Sequence, residues 1–296
     1  MIVVMGASGA TGSALLQRLV TLGVPSRALS RDPDRLRAGL GESARSLVEV
    51  RAADAEQPQS LRTAFQGADQ LFISMVNSPA QVALETRAIT LAAESGIRHV
   101  VKLSAPAAAP DSPVAVSRWH HGIEQVLRDS GLTHTLLRPY AFMQKLLTLA
   151  PAIVARSVVL GALGEAACNY VDCRDIGDVA AAALVRPGIA GQAYTLTGRR
   201  TFSQPELAEL LSSVLGRRIE YVDLPPAAMR QNLVENGGLP GWLASHVVEI
   251  QQLAVSRPER PTDTVFRILG REPRTLEAFL NENIQQFRRG PVADRR

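Results

Sequence analysis

The sequence predicts an α/β protein: a doubly wound, Rossmann-like parallel sheet with a smaller C-terminal α/β lobe. Two observations carry that expectation. Over the first 140 residues short apolar runs alternate with longer helical patterns, as the strands of a parallel sheet alternate with crossover helices. After Arg138-Pro139 the rhythm changes to longer, more irregular segments. The expected division is a first domain over 1–150 and a lobe over 151–296, with segments at about 170–200 packing back on the first domain.

Each element follows from local signals. Strands are expected at Ile2 to Met5, Ser26 to Ser30, Leu47 to Arg51, Gln70 to Ser74, His99 to Ser104 and Thr133 to Leu137, each flanked by Gly, Asp, Ser or Pro. Asp32-Pro33, Ser78-Pro79 and Ser112-Pro113 place a capping side chain just before a proline suited to a first helical turn, so each should open a helix. In the second half, Asp175 to Val185, Leu239 to Ala254 and Thr275 to Phe287 carry helical patterns, and Ala193 to Thr197 and Ile219 to Val222 read as short strands. Ser203-Gln204-Pro205-Glu206 has capping-box spacing and opens a helix over Leu207 to Leu215. The prolines and glycines between Leu224 and Gly241 read as loop punctuation. Met143, Leu146, Leu147 and Leu149 have helical spacing for either core or pocket wall.

Composition narrows the function. Hydrophobic residues at 46% and charged residues at 20% are ordinary globular usage, which argues against disorder. The formal charge of +4 rests on 32 basic residues of which only Lys102 and Lys145 are lysines, scattered apart from the doublets Arg199-Arg200, Arg217-Arg218, Arg288-Arg289 and Arg295-Arg296. No basic run marks a nucleic-acid arm. No 18-residue apolar stretch free of charge suggests a membrane span, and the start Met1-Ile2-Val3-Val4-Met5-Gly6 reads as a strand and not a signal, so the cytoplasm is expected. Cys168 and Cys173 lack a second pair for zinc and have no obvious basic activating group fixed beside them, and read as buried structural thiols with no metal role.

The motif that carries chemistry is Gly6-Ala7-Ser8-Gly9-Ala10-Thr11-Gly12, set between the first strand and first helix. Glycines there allow a tight turn and let a pyrophosphate approach main-chain N–H groups at the positive end of the helix. The alternative is a glycine turn with no ligand. Which dinucleotide binds is decided at the end of the second strand, at Ser30-Arg31-Asp32-Pro33. An acidic side chain there would hold the ribose of NAD, and an arginine the extra phosphate of NADP. Asp32 reads as the cap of the next helix, which leaves Arg31 to face the ribose and favours NADP over NAD, unless Arg31 is a solvated loop residue.

Together the glycine turn, Arg31-Asp32-Pro33, Lys102-Leu103-Ser104, His120 with Glu124, and Ser130-Gly131-Leu132 leading to Leu137-Arg138-Pro139 resemble the NmrA-like family of atypical short-chain dehydrogenases/reductases. Asp172-Cys173-Arg174-Asp175-Ile176, Tyr194-Thr195-Leu196-Thr197-Gly198 and Gly270-Arg271-Glu272-Pro273-Arg274 extend the likeness over nearly the whole chain. Members include NAD(P)H-dependent quinone and dye reductases and non-catalytic redox sensors. The resemblance implies cofactor contacts from Gly6, Ser8, Gly9, Ala10, Thr11 and Gly12, from Arg31, and from Asp54, Ser74 and Ser104 after the third, fourth and fifth strands, with Pro139, Tyr140 and Phe142 beside the nicotinamide. Asp54 could instead cap its helix, and Ser74 and Ser104 could satisfy backbone groups at strand ends.

Typical short-chain dehydrogenases carry a Tyr-x-x-x-Lys pair as proton carrier, and the matching helix, Val114 to Glu124, has neither residue. That disfavours alcohol dehydrogenation and sugar-nucleotide epimerisation. Hydride transfer to a quinone-like or other conjugated aromatic acceptor demands less, because the acceptor delocalises the incoming charge. His120 is the expected acid, since imidazole titrates near neutral pH and the position resembles the family's helix histidine. His121 points about 100° away from it. Glu124, one turn on from His120, could pair with it and orient the ring, or the two could be a structural pair. Tyr140 could donate to the substrate oxygen or merely shield the nicotinamide face, and Ser104 could orient the acceptor. Lys102 lies on the fifth strand short of its carboxyl end and is not assigned a role. The expectation is an NADPH-dependent reductase, as a monomer or homodimer; the alternatives are a redox-sensing regulator that holds NADP(H) without turnover and a tailoring reductase of secondary metabolism.

Overall fold

A computed structural model describes residues 1–289; the Arg295-Arg296 doublet and the end of the 151–296 lobe lie outside them. In chain order the elements are β1 (Ile2–Met5), α1 (Ala10–Thr21), β2 (Ser26–Ser30), α2 (Pro33–Gly39), α3 (Glu42–Arg45), β3 (Val48–Ala52), α4 (Pro58–Phe65), β4 (Gln70–Ile73), α5 (Gln81–Glu94), β5 (His99–Leu103), α6 (Ala115–Asp129) and β6 (Thr133–Pro139). Then come β7 (Ala141–Phe142), a 3-10 helix (Met143–Leu149), α7 (Ala150–Arg156), β8 (Val158–Gly161), β9 (Ala167–Val171), α8 (Cys173–Val185), β10 (Ala193–Leu196), β11 (Thr201–Ser203) and α9 (Gln204–Leu215). The chain continues through β12 (Glu220–Asp223), α10 (Pro226–Glu235), α11 (Gly241–Ser256), α12 (Thr264–Leu269), α13 (Leu276–Glu282) and α14 (Ile284–Arg289).

Seven parallel strands form the central sheet in the order β10-β6-β5-β4-β1-β2-β3, a Rossmann-like arrangement in which the strand order reverses between β1 and β4. A parallel sheet needs apolar cover on both faces, and the inner strands supply it: Val3, Val4, Leu71, Phe72, Val100 and Val101 are fully buried. One face packs on α1 and α8, through Leu15, Leu16, Leu19, Ile176, Val179 and Ala180. The other packs on α4, α5 and α6, through Phe65, Ile89, Ile123 and Leu127. Helices α1 and α8 approach closely because Gly177 has no Cβ; one placed there would meet the backbone N of Leu15 at 2.7 Å. Thus a segment from the second half covers the sheet, and β10 extends its edge beside β6. Elsewhere β11-β9-β7 and β12-β8 form two small sheets around a separate apolar cluster. Met143 and Leu146 are buried in that cluster, with Leu147 and Leu149 packed against it, so this stretch is core.

Several boundaries move for identifiable reasons. Asp32 caps α2 through Arg35 N at 3.0 Å, and Ser203 with Glu206 closes a full capping box on α9, which opens at Gln204. Ser78-Pro79 and Ser112-Pro113 do not cap: α5 begins at Gln81, and α6 begins at Ala115, whose N–H donates to Glu249 on α11 at 2.9 Å. The helix expected over Thr275 to Phe287 breaks at Asn283, whose side-chain amide donates to Phe279 O and so ends α13. The stretch read as loop punctuation contains α10, with Pro226 in its first turn. Arg271 and Arg274 reach Asp175 and Asp178 on α8 and anchor the C-terminal segment there.

Candidate functional site

The switch in strand order places the turn after β1 beside the end of β4, where open α/β sheets take their ligands. Gly6 has φ +88°, and a Cβ on it would stand 1.8 Å from Ser74 O; one on Gly12 would stand 2.1 Å from Gly6 O. No side chain fits at either point. Gly9 closes the turn by donating its N–H to Gly6 O at 3.0 Å and is the N-cap of α1 without a capping side chain. The first-turn N–H groups of α1 are left to an external anion, with Ser8, Gly9 and Ala10 exposed beside them. A pyrophosphate suits this cradle. Thr11 is buried, at the start of α1.

At the end of β2, Asp32 is spent on its cap and Ser30 bonds Asp32 main-chain atoms, which leaves Arg31 exposed with no bond to another described residue. This is the arrangement a 2′-phosphate would use. Asp54 neither caps α4 nor stands free: one carboxylate oxygen accepts from Glu56 N at 3.0 Å and shapes the turn after β3. Ser74 donates its main-chain N–H to Met5 O at 3.1 Å, tying the β4 end to the glycine turn.

Beyond β5 and β6 lies the second half of the site. Two residues along β5 advance about 6.6 Å and four along a helix about 6 Å, so Lys102 and Ser104 fall opposite His120 and Glu124 on α6. The pairs form across the gap and not along the helix. Ser104 Oγ donates to Glu124 Oε1 at 2.6 Å, and Glu124 also accepts from Arg138 and Arg128. Those bonds hold its carboxyl below the usual range against the opposing effect of burial. The expected His120–Glu124 pairing is therefore corrected, and Ser104, its hydrogen committed, offers an acceptor only its lone pairs.

His120 is 5% exposed and its Nδ1 lies 3.3 Å from Lys102 Nζ. Lys102, fully buried, is ion-paired with Glu85 on α5, so the lysine left without a role reaches the site through its flexible stem. Burial first, then the charges of Lys102 and His246, push the imidazole well below its usual value. The expectation of an imidazole titrating near neutral pH is corrected: His120 is neutral there. From the C-terminal half, α11 brings His246, whose Nε2 lies 3.5 Å from Asn77 Nδ2, and Trp242, whose ring sits 5.9 Å from that of Trp119.

Pro139 is buried at the end of β6, and Tyr140, half-buried, donates its N–H to Leu196 O at 3.0 Å. Burial, then Glu259, raises the Tyr140 phenol, which stays protonated and able to donate. Phe142 pairs with Val171 in β7-β9. Glu259 accepts from Asn169 N, and burial pushes its carboxyl up to about 7. Both cysteines are buried with thiols pushed up to about 12. Glu85, His246 and Glu259 escaped sequence reasoning and Lys102 was weighed but declined; a lysine beside a site-forming serine, in a chain with two lysines, was the available signal. A cavity of about 420 Å³ lined by Arg18, Arg174, Arg271 and Arg274 lies apart from these residues, and Asp172, Asp175, Asp178 and Glu282 pair with its arginines. Among the described residues no group of three or more His, Cys, Asp or Glu could hold a metal, and no helix is long and apolar enough to cross a membrane.

Sheet order, glycine cradle and flanking helices define a Rossmann-like α/β protein. A profile of the NmrA-like family matches residues 1–280, and the chain belongs to that family. It is 35% identical over 290 residues to an NAD(P)H azoreductase from Xenophilus azovorans, covering 97% of this chain and 99% of that one. It is 27% identical to quinone oxidoreductase 2 of Escherichia coli, covering 84% and 86%. Among solved structures, that NADPH-dependent quinone oxidoreductase complexed with NADPH superposes with TM-score 0.85 at 26% identity, covering 96% of this chain and all of that chain.

Proposed function

We propose that the protein is an NADPH-dependent oxidoreductase that reduces a quinone-like, azo or other conjugated aromatic acceptor. The observation that carries this is the uncapped N-terminus of α1 in a glycine cradle at the strand-order switch, with the exposed Arg31 at the end of β2. The relatives' printed activities, an NAD(P)H azoreductase and a quinone oxidoreductase, support the acceptor class.

In this reading the turn from Gly6 to Gly12 holds the pyrophosphate, and Arg31 pairs with the 2′-phosphate. Asp54, Ser74 and Ser104 border the cofactor across the strand ends, and Pro139, Tyr140 and Phe142 wall the nicotinamide. Bound NADPH supplies hydride. His120 and Tyr140, both uncharged, donate hydrogen bonds to the acceptor atom that gains charge, and such preorganised donors are worth about 3 kcal/mol each. The absence of a Tyr-x-x-x-Lys pair on α6 suits acceptors that delocalise charge. The test is NADPH oxidation against quinones and azo dyes beside direct NADPH binding. Turnover supports the reductase, and tight binding with no turnover on any acceptor contradicts it in favour of a nucleotide-holding regulator.

A further inference from the structure

Four polar side chains run in a buried line across α5, β5 and α6. Gln81 Nε2 donates to Glu85 Oε1 at 2.8 Å, Glu85 Oε2 accepts from Lys102 Nζ, and Nζ also donates to Leu103 O at 3.1 Å and faces His120 Nδ1 at 3.3 Å. Gln81, Glu85 and Lys102 are completely buried. An ammonium has three protons and no lone pair, so its third contact requires His120 Nδ1 to be the acceptor. The ring's single proton then sits on Nε2. That atom has no bond to another described residue, and it is not among the enclosed unpartnered atoms, so it is the open side of a ring otherwise 5% exposed.

The groups around the ring favour the same state. From β5 comes the ammonium of Lys102, from α5 Glu85 already paired with it, and from α11 His246, itself near Lys145 and Glu249. On α6 and β6, Glu124 is committed to Ser104, Arg128 and Arg138. Among these described groups no carboxylate is free to stabilise an imidazolium, and a second cation would stand beside Lys102.

We propose that Lys102, anchored by Glu85, is a positioning residue that locks His120 as the neutral Nε2–H tautomer and presents that N–H to the acceptor atom that gains charge on reduction. This rests on the reductase reading for its use, but the lock itself is a property of the folded protein. Lys102 touches neither acceptor nor cofactor; it acts through the ring. The acceptor takes hydride from NADPH and its proton from solvent, while His120 gives a hydrogen bond and keeps its own proton, so turnover does not follow an imidazolium titration.

Nitrogen-15 spectra of the histidine rings in the full-length protein test this without any acceptor. From about pH 8 to about pH 5.5, His120 Nδ1 is expected to remain unprotonated and Nε2 protonated. In Lys102→Met, and in Glu85→Gln with Lys102→Met, which keeps the buried site uncharged, the ring should titrate at higher pH and mix tautomers. The double variant should lose about tenfold or more in kcat for a benzoquinone while NADPH Kd stays within about twofold. A wild-type ring protonated on Nδ1, or a double variant with wild-type tautomer and kcat, overturns the lock. The wild-type spectrum needs no substitution, so a variant that misfolds does not remove the test. Wild-type protein that binds NADPH but reduces no quinone or azo compound overturns the reductase reading instead, with the spectra still deciding the lock.

Discussion

Arg31 and Asp32 show how neighbouring residues divide two tasks. Asp32 satisfies the exposed N–H of Arg35 and fixes the start of α2, which leaves Arg31 as the cation beside the expected ribose. Arg31→Ala should weaken NADPH binding by about 10- to 100-fold, the worth of charge-assisted hydrogen bonds, and leave NADH nearly unchanged; titration with both nucleotides checks this. An unchanged ratio of dissociation constants would make Arg31 a solvated loop residue. His120→Ala should lower kcat for a quinone by about 10²-fold or more at little cost in NADPH affinity, as steady-state kinetics would show. Glu259 makes a pH prediction. Its carboxyl lies near 7 in the folded protein against about 4.3 in an unfolded chain, so the folded state binds the extra proton between those values. Stability from this group is full below about pH 4.3 and is lost as pH rises through 7. Thermal melts from about pH 5 to about pH 8.5 should therefore show wild-type protein losing about 1–3 kcal/mol that Glu259→Gln does not lose.

At the scale of elements, α1 and α8 meet at Gly177 with no room for a side chain. Gly177→Ala would push a methyl against the Leu15 backbone, and the rigid helix offers nothing flexible to yield, so unfolding melts should show a loss of about 1–3 kcal/mol. The strands of the central sheet and α1 were legible because each is encoded in its own few residues, and so were the caps at Asp32 and Ser203, whose partners lie three residues away; β7, β8, β9 and β11 were not placed. The start of α6 was not, since its cap is Glu249, 134 residues distant. Distance in sequence also hid the site. The spacing of His120 and Glu124 suggested a pair along the helix, but β5 presents Lys102 and Ser104 at nearly the same interval, and each α6 side chain takes a strand partner. Lys102 was set aside for where its Cα sits, although a four-carbon stem carries the charge well beyond it. Arg31, Tyr140 and the glycine turn could be placed because their chemistry follows from their position at strand ends.

For the whole molecule, the central sheet is completed by chain from the second half. Helix α8 covers Leu15 and Leu19, and β10 pairs with β6. A fragment ending at residue 150 would expose that apolar face and an unpaired strand edge, and should give no cooperative unfolding transition in circular dichroism. The candidate site likewise draws on both halves, with His120, Asn77 and Tyr140 from the first and His246 and Glu259 from the second. One measurement bears most directly on the proposed activity: NADPH oxidation, followed at the nicotinamide absorbance, with quinones and azo dyes as acceptors and with direct binding of NADPH measured in parallel. Binding with acceptor-dependent oxidation, both weakened for NADPH by Arg31→Ala, is the predicted result. Failure to bind either nucleotide, or binding with no oxidation by any acceptor, would contradict it.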